Sequence, residues 1–188
     1  MDESKNWRRR SKKRKMNDAD WIVEVDQGDN LIGKIDREEA HAKQNLHWHR
    51  EVMTILFTDE TMTRFLMQHR SVKKKQLPGY WTLSVTGHVD YSDLSSVDSE
   101  GYLTASARES KEEIGVRVKN LSLVGKLPQQ INENWAIMGI VVGEFEGELK
   151  LDPEEVAEVG IFDKNSITEI SDKLTPGAKA CLKYLNII

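Results

Sequence analysis

The segment Arg108-Glu109-Ser110-Lys111-Glu112-Glu113-Ile114-Gly115-Val116 decides the fold of this 188-residue chain. It closes a stretch from Leu103 to Ile114 in which apolar and small residues recur at helical spacing. Gly115 is a typical helix stop, because glycine readily adopts the left-handed conformation that ends a helix. We therefore predict a helix over Leu103–Ile114. Its predicted inner stripe consists of Leu103, Ala107, Ser110 and Ile114.

The three glutamates of this helix suggest a metal site. The i, i+3, i+4 spacing of Glu109, Glu112 and Glu113 places them on one helical face, where like charges repel. A divalent cation removes that repulsion, and Mg²⁺ and Mn²⁺ prefer carboxylate oxygens. Such an ion can bridge a diphosphate and lower the pKa of a bound water. Taken alone, three glutamates are more often an exposed acidic face.

The residues around the helix extend the glutamates into a fixed pattern. The sequence resembles the Nudix box, Gly-x5-Glu-x7-Arg-Glu-U-x-Glu-Glu-x-Gly-U, where U is a bulky apolar residue. Gly87 matches the opening glycine and Glu100 the first glutamate, whereas Ser110 replaces an apolar residue. The loop between Gly87 and Glu100 carries an apparent seven-residue insertion, which we place in Tyr91–Ser99. The other matches are Arg108, Glu109, Glu112, Glu113, Gly115 and Val116.

This resemblance implies the metal ligands and the catalytic residues. Glu109, Glu112 and Glu113 would hold Mg²⁺ or Mn²⁺, and one of them, or a glutamate from a later loop, would activate the attacking water. The catalytic set is Glu112, Glu113 and Arg108. The late-loop candidates are Glu154, Glu155 and Glu158, each of which could equally be a plain surface acid.

The resemblance also implies supporting roles where the loop begins and ends. Arg108 would pair with Glu100 and hold the loop against the helix. Gly87 would let the backbone approach the metal, because glycine has no Cβ. His88 adjoins Gly87 and is the histidine best placed to join the site.

Two further stretches resemble the isopentenyl-diphosphate isomerase branch of the Nudix superfamily. One runs from Val25-Asp26 to Leu46-His47, and the other is Leu77–His88. That branch has a histidine-rich metal site, and we interpret His49 and His69 as surface or strand residues outside it. The residues that could correspond to its histidine ligands are His41, His47 and His88. Glu133 could correspond to one of its later glutamate ligands.

Thr86 stands where the isomerase needs a cysteine. A threonine hydroxyl is far less acidic than a thiol and is a poor substitute in allylic proton transfer. The isomerase branch usually has a degraded Nudix box, whereas this box is intact. Both features favour hydrolysis over isomerisation.

The leading hypothesis is therefore an enzyme: a Mg²⁺-dependent Nudix hydrolase that cleaves the diphosphate linkage of a nucleoside diphosphate derivative or another organic diphosphate. The alternative is an isopentenyl or prenyl diphosphate isomerase or hydrolase. A second alternative is a non-catalytic module that binds a nucleotide or RNA, against which the three mutually repelling carboxylates argue. The expected partner is a small-molecule diphosphate. Its phosphates could contact the basic residues Arg70, Lys73, Lys74 and Lys75, which otherwise form a solvated loop.

Charge and composition limit the number of domains, the location of the protein and the parts of the chain that could contact nucleic acid or a membrane. Residues 1–15 hold eight lysines and arginines against two acids, whereas the whole chain has a net charge of −4. We predict a disordered basic arm over 1–20, the one part expected to contact nucleic acid, and a single domain over 21–188. No apolar run suits a membrane span, and the single Cys181 fits a cytoplasmic protein. A homodimer is compatible with the sequence.

The coarse pattern of elements predicts an α+β fold, and the resemblance implies an α/β/α Nudix sandwich: a mixed sheet flanked by helices, with an N-terminal β-hairpin. Predicted besides the central helix are a hairpin over Trp21–Ile35, a short helix over Arg37–Lys43 capped by Asp36, and a loop over Asp90–Gly101. The other predicted strands are Val52–Phe57, Arg64–His69, Trp81–Val85, Leu121–Val124, Trp135–Phe145 and Val156–Phe162. The other predicted helices are Asn165–Ile170 and Pro176–Leu185.

Overall fold

A computed structural model describes residues 21–42, 46–132 and 134–188. The predicted basic arm over 1–20, the predicted helix end at Lys43 and the candidate Glu133 lie outside the described residues. In the part of the chain that is described, no helix combines the length and apolar character needed to cross a membrane.

The described chain forms a mixed nine-stranded sheet with helices on both faces, which confirms the α+β class. The helices are α1 (Arg37–Ala40), α2 (Tyr102–Glu113), α3 (Ser166–Glu169) and α4 (Pro176–Tyr184), with 3₁₀ turns at Tyr91–Asp93 and Ser171–Lys173. The strands are β1 (Trp21–Val25), β2 (Leu31–Asp36), β3 (Trp48–Phe57), β4 (Phe65–Arg70), β5 (Trp81–Leu83), β6 (Val85–His88), β7 (Arg117–Ile131), β8 (Asn134–Glu146) and β9 (Val156–Phe162).

Strand β3 organises the sheet. It runs antiparallel to β1, β4 and β6 and parallel to β8, so the sheet is mixed at its centre. Because side chains alternate along a strand, β3 contributes to two cores. Val52 packs with Tyr102 of α2 on one face. Met53 and Ile55 pack with the core that includes α4 on the other face.

Helix α2 lies within one residue of its predicted bounds, and three members of its predicted inner stripe face the core: Ser110 and Ile114 are buried, and Leu103 is half-buried. Ala107, the fourth member, is exposed. The buried positions of the helix are Tyr102, Ala105, Ser106, Glu109, Ser110 and Glu113. Part of the contact with the sheet is therefore made by polar residues, which apolar periodicity does not reveal. Thr54 of β3 donates its hydroxyl hydrogen bond to Ser106 Oγ at 2.9 Å. Ser110 donates to the carbonyl of Ser106 at 2.7 Å, so its hydroxyl is satisfied in the core.

Three strands differ clearly from their predicted extents, and β3 begins at Trp48, four residues before the predicted Val52. The predicted strand Trp81–Val85 is divided at Ser84, whose Oγ accepts a hydrogen bond from the Leu56 amide at 2.8 Å in place of a ladder partner. Strand β7 is much longer than the predicted Leu121–Val124, because it pairs with β8 along almost its whole length through two irregularities. Much of β7 is half-exposed and polar, so alternation of apolar residues could not reveal it.

Close packing of α2 on the sheet makes Gly139 of β8 sensitive to substitution. A Cβ there would lie 2.3 Å from the Tyr102 ring, whereas a Cβ at Gly33 of β2 would meet nothing within 4 Å. We expect Gly139→Ala to lower the free energy of unfolding by about 1–3 kcal/mol through overpacking. Gly33→Ala, the matched control, should leave it nearly unchanged. Urea denaturation of both variants checks this, and equal midpoints would contradict the packing described.

Candidate active site

Two of the three glutamates of α2 are buried against the sheet. Glu109 is 8% exposed and Glu113 is 4% exposed, whereas the side chain of Glu112 is 59% exposed. The predicted acidic face therefore has a buried pair, one helical turn apart, and a third carboxylate at its solvent side.

Strand β6 fits closely over the buried pair. A Cβ on Gly87 would lie 2.2 Å from Glu109 Oε1, so only glycine leaves room for that carboxylate. Glu113 accepts a hydrogen bond from Gln68 Nε2 at 3.0 Å and faces the Thr86 amide at 3.4 Å. The predicted close approach of the backbone at Gly87 is thus an approach to Glu109.

The electrostatics of the pair fit a hard divalent cation. Burial raises the pKa of Glu109 to about 7, although the charge of Arg108 opposes the rise. Burial and then the charge of Glu109 raise the pKa of Glu113 to about 8. Two carboxylates whose ionised forms are disfavoured by burial offer the oxygen donors that Mg²⁺ and Mn²⁺ prefer. A cation beside them would remove both penalties.

Arg108 ties the helix to the preceding strand and loop. Its Nε and Nη2 donate to Asp93 Oδ1 and Oδ2 at 3.1 and 2.9 Å, and Nη2 also donates to the His88 carbonyl at 3.0 Å. Its Nη1 donates to Glu109 Oε1 at 2.8 Å and to Glu112 Oε2 at 3.2 Å. Although burial favours the neutral form, the hydrogen bonds to Asp93 and the charge of Glu109 raise the pKa of Arg108 above its ordinary value.

The predicted pair between Arg108 and Glu100 is not formed. Glu100 instead binds Lys126 of β7, and Asp93 takes the predicted place beside Arg108. Asp93 is the sixth residue after Gly87, the distance that the Nudix pattern requires. The extra residues therefore follow Asp93, not Gly87. The spacing contained this signal, but an aspartate stood where the pattern has glutamate.

The start of α2 is held by the extra residues themselves. Asp98 Oδ1 accepts a hydrogen bond from the Gly101 amide at 3.0 Å, and Oδ2 accepts one from the Thr104 amide at 2.8 Å. These bonds satisfy amides that the first helical turn leaves open. The longer loop thus ends in its own helix cap and leaves the glutamates of α2 in place.

A second group of potential ligands lies on the other face of β6. The ring nitrogens of His41, His49 and His88 lie within 4.8 Å of one another, and the Nε2 atoms of His41 and His88 are 2.9 Å apart. His41 follows α1, which is capped by Asp36, while β3 and β6 carry the other two histidines. Burial lowers the pKa of His88 well below its ordinary value.

His49 is a strand residue of β3, one of the two places predicted for it, but it is fully buried and lies inside the cluster. His47, which the resemblance suggested as a ligand, hydrogen-bonds Glu24 Oε1 at 2.5 Å instead. His49 shares the strand face of Met53 and Ile55. That alternation was the available signal, but the predicted strand began only at Val52.

Cations and one late glutamate lie near Glu113. Lys74 binds Glu155, and both charges act on Glu113, since Lys74 lowers its pKa and Glu155 raises it. Burial lowers the pKa of Arg70, and the charges of Glu113, Glu155 and Glu51 oppose this. The other late candidates have their own partners: Glu154 lies 2.5 Å from Lys73, and Glu158 lies 3.4 Å from His69. Of the three late-loop candidates, Glu155 is the one whose charge acts on Glu113.

The fold, the carboxylate helix and the glycine above it define the Nudix class of domain. The model of the NUDIX domain matches residues 47–185, and the chain therefore belongs to the Nudix family. The fold resembles the crystal structure of DR0079 from Deinococcus radiodurans, with a TM-score of 0.66 and 15% identity over 87% of this chain and 98% of that chain.

Two curated relatives come from diphosphate chemistry. Isopentenyl-diphosphate delta-isomerase 2 of Homo sapiens is 25% identical over 182 residues, which cover 89% of this chain and 79% of that protein. The prenyl-diphosphate phosphatase of Methanosarcina mazei is 38% identical over 97 residues, about half of each protein at 52% and 50%. The predicted likeness to the isomerase branch is thus confirmed.

The contact between Gly87 and Glu109 makes a direct prediction for metal binding. Gly87→Ala should displace the Glu109 carboxylate and weaken Mn²⁺ binding by about tenfold or more, as loss of a ligand-orienting contact does. Electron paramagnetic resonance of free Mn²⁺ measures this. Gly33→Ala is the control and should bind as the wild type does. Equal affinities for all three proteins would rule out Glu109 as a ligand.

The two candidate partners of Arg108 can be compared directly. Asp93→Asn removes a buried charge that accepts two hydrogen bonds from Arg108 and one from the Asp90 amide, and we expect a loss of about 1.5–3 kcal/mol of stability. Glu100→Gln removes a partly exposed ion pair and should cost less than about 1 kcal/mol. Thermal unfolding of the two variants tests this order. A larger loss in Glu100→Gln would favour the pairing inferred from the sequence.

Proposed function

We propose that this Nudix protein is an enzyme that hydrolyses the diphosphate linkage of a small organic molecule with the help of Mg²⁺ or Mn²⁺. The observation that carries the proposal is the buried pair Glu109 and Glu113 beneath Gly87. Two such carboxylates destabilise the metal-free protein, so a purely structural role gives no reason to keep them. For the same reason we disfavour a module that only binds a nucleotide or RNA.

The arrangement assigns a task to each residue. Glu109 and Glu113 would hold the cation, which when bound polarises the diphosphate and lowers the pKa of a water molecule. Arg108 fixes Glu109 and Glu112 in place, and Asp93 fixes Arg108. The attacking water forms a bond to one phosphorus, and the bridging oxygen leaves with the second phosphoryl group and the electrons of the broken bond. The proton of the water passes to a carboxylate.

Glu112 and Glu155 are our candidates for that carboxylate. Glu112 belongs to the same helix as the buried pair and keeps its carboxylate exposed to the cleft. Glu155 lies close enough to Glu113 for its charge to act there, and Lys74 holds it. Activity lost in Glu112→Gln but kept in Glu155→Gln would select Glu112, and the reverse would select Glu155.

Arg70 and Lys74 are placed to bind the phosphates. The charge of Glu113 raises the pKa of Arg70, and the charge of Lys74 lowers the pKa of Glu113. The charge of Glu51, near the histidines, also raises the pKa of Arg70. A diphosphate attracted to these cations would lie beside the carboxylate pair. The similarity to a prenyl-diphosphate phosphatase makes prenyl diphosphates our first substrate class, ahead of nucleoside diphosphate derivatives.

Isomerisation is the less favoured chemistry. Thr86 pairs in register with Met53 beside His88, so a hydroxyl replaces the thiol at that position. The single cysteine, Cys181, is buried on α4, where burial raises the pKa of its thiol to about 12. A thiol that stays protonated is poorly suited to proton transfer. A reduced, buried cysteine also agrees with the cytoplasmic location that we propose.

Release of phosphate, or of a nucleotide where both phosphates carry a substituent, from a panel of diphosphates with Mg²⁺ tests the proposed function. The panel comprises isopentenyl, dimethylallyl and geranyl diphosphates, nucleoside diphosphates and nucleoside diphosphate sugars. We expect Glu109→Gln and Glu113→Gln each to lower kcat/KM by about 100-fold, which corresponds to about 2.7 kcal/mol of transition-state stabilisation. Glu158→Gln, an exposed acid on β9, is the control and should retain full activity.

Three outcomes would contradict the proposal in different ways. Full activity in both helix variants would show that the buried pair is not the site. Conversion of isopentenyl diphosphate to its allylic isomer without phosphate release would establish isomerisation. Absence of both turnover and Mg²⁺ binding would return the chain to the class of non-catalytic modules.

A further inference from the structure

Gln68 lies in the middle of β4 and is only 1% exposed. It pairs in register with Thr82 of β5 on one side and with Val159 of β9 on the other side. Because both neighbouring strands hold its backbone, the start of the Gln68 side chain is fixed in the sheet. The Nudix pattern begins at Gly87 and does not contain this residue.

The side chain of Gln68 points towards α2. Alternation along β4 places Leu66 and Gln68 on one face, and Leu66 belongs to the same core as Ile114 at the end of α2. The intervening Met67 belongs to the core on the opposite face, which includes α4. A primary amide among apolar residues needs a hydrogen-bond partner, and Gln68 Nε2 donates to Glu113 Oε2 at 3.0 Å.

This contact makes the two carboxylate oxygens of Glu113 unequal. Oε2 faces Gln68 Nε2 at 3.0 Å and the Thr86 amide at 3.4 Å. Within the described part of the chain, Oε1 accepts no hydrogen bond from the protein. One oxygen is therefore held by the sheet, and the other remains for a cation.

Gln68 holds Glu113 without neutralising its charge. Among the residues that the structure describes, Glu113 forms no ion pair, whereas Glu109 is paired with Arg108 at 2.8 Å. A neutral amide donor fixes a carboxylate and leaves its negative charge available to attract a divalent ion. Although burial raises the pKa of Glu113, the hydrogen bond from Gln68 opposes the rise and favours the ionised form.

The nearest cation of β4 does not take over this contact. Arg70 is the next residue on the same strand face as Gln68. Its guanidinium donates to the Gln76 carbonyl, from Nε at 3.3 Å and from Nη2 at 3.0 Å. The direct β4 contact of Glu113 is therefore the amide of Gln68 and not a guanidinium.

We propose that Gln68 is a positioning residue for the metal site: it holds Glu113 Oε2 against the sheet, so that Oε1 is the oxygen that binds the divalent ion. This inference rests on the proposed role of Glu113 as a metal ligand. A carboxylate that is already held loses less side-chain freedom when the ion binds. Gln68 therefore acts through Glu113, on the affinity for the ion and not on the chemical step.

Gln68→Met tests this role, because methionine is also unbranched and flexible but donates no hydrogen bond. We expect the variant to bind Mn²⁺ at least about tenfold more weakly, as loss of a residue that orients a metal ligand does. Electron paramagnetic resonance of free Mn²⁺ measures this. Excess Mg²⁺ should restore kcat in Gln68→Met, with the KM for the diphosphate unchanged. It should not restore kcat in Glu113→Gln, which lacks the ligand itself.

Thr82→Val is the control that separates positioning from packing. Thr82 lies opposite Gln68 on β5, is 2% exposed and accepts a hydrogen bond from Thr175 Oγ1 at 3.1 Å. The control removes a buried polar contact on the same strand pair without touching Glu113. It should lower the melting temperature and leave the Mn²⁺ affinity at the wild-type value. Equal losses of Mn²⁺ affinity in Thr82→Val and Gln68→Met would overturn the positioning role.

A second variant keeps the test decisive if methionine disturbs the fold. Gln68→Asn retains the amide but shortens its reach by one methylene, so it should also weaken Mn²⁺ binding. Thermal melts show which variants are folded. Unchanged Mn²⁺ affinity in the folded variants of Gln68 would overturn the inference.

Failure of this inference is distinguishable from failure of the proposed hydrolysis. Unchanged Mn²⁺ affinity in the Gln68 variants, with Mg²⁺-dependent hydrolysis by the wild type, would overturn the positioning role alone. No Mn²⁺ binding by the wild type, or equal affinity in Glu113→Gln, would remove the metal site on which both depend. Weaker Mn²⁺ binding in Gln68→Met by a chain that cleaves no diphosphate would retain the positioning role and remove the proposed function.

Discussion

Repulsion between the buried carboxylates of Glu109 and Glu113 is the constraint around which the site is built. Burial raises the pKa of both groups, with the charge of Glu112 adding to the rise at Glu109 and the charge of Glu109 adding to the rise at Glu113. The ionised form of each carboxylate is therefore disfavoured unless a cation lies nearby. Arg108 provides part of the compensation at Glu109, and Gln68 hydrogen-bonds Glu113. The negative charge that these contacts leave uncompensated is the electrostatic basis for binding a divalent ion.

The same constraint explains features that lie further from the helix. Glu109 can be buried only because Gly87 has no side chain, and Arg108 can hold Glu109 only because Asp93 and the His88 carbonyl hold Arg108. Strand β6 thus serves two sites. Its glycine faces the carboxylates, and its histidine faces the imidazole cluster on the other side of the sheet.

Local sequence features predicted the helix that carries the three glutamates, because the residue identities and spacing of the Nudix pattern are contiguous along the chain. The same reasoning placed Gly87 and predicted the hairpin, both of which depend on neighbours close in the chain. It failed where partners are chosen by three-dimensional packing. Arg108 pairs with Asp93 and not with Glu100, because Asp93 is the sixth residue after Gly87, as the motif requires. The added residues that follow Asp93 form a separate helix cap. Ala107 is exposed because Ser106 and Ser110, together with the buried glutamates and Tyr102, face the sheet.

The histidines show the same limit of prediction from the sequence. His47 and His49 are the same type of residue two positions apart, but β3 begins at Trp48 and so includes His49 and not His47. The start and the register of the strand therefore decide which of them is buried.

The measurement that most directly tests this account is anomalous diffraction from crystals soaked in Mn²⁺. The account predicts an anomalous peak within coordination distance of Glu109 and Glu113, next to the backbone at Gly87. A peak that avoids both carboxylates, with Glu109 and Glu113 unchanged beneath Gly87, would contradict it.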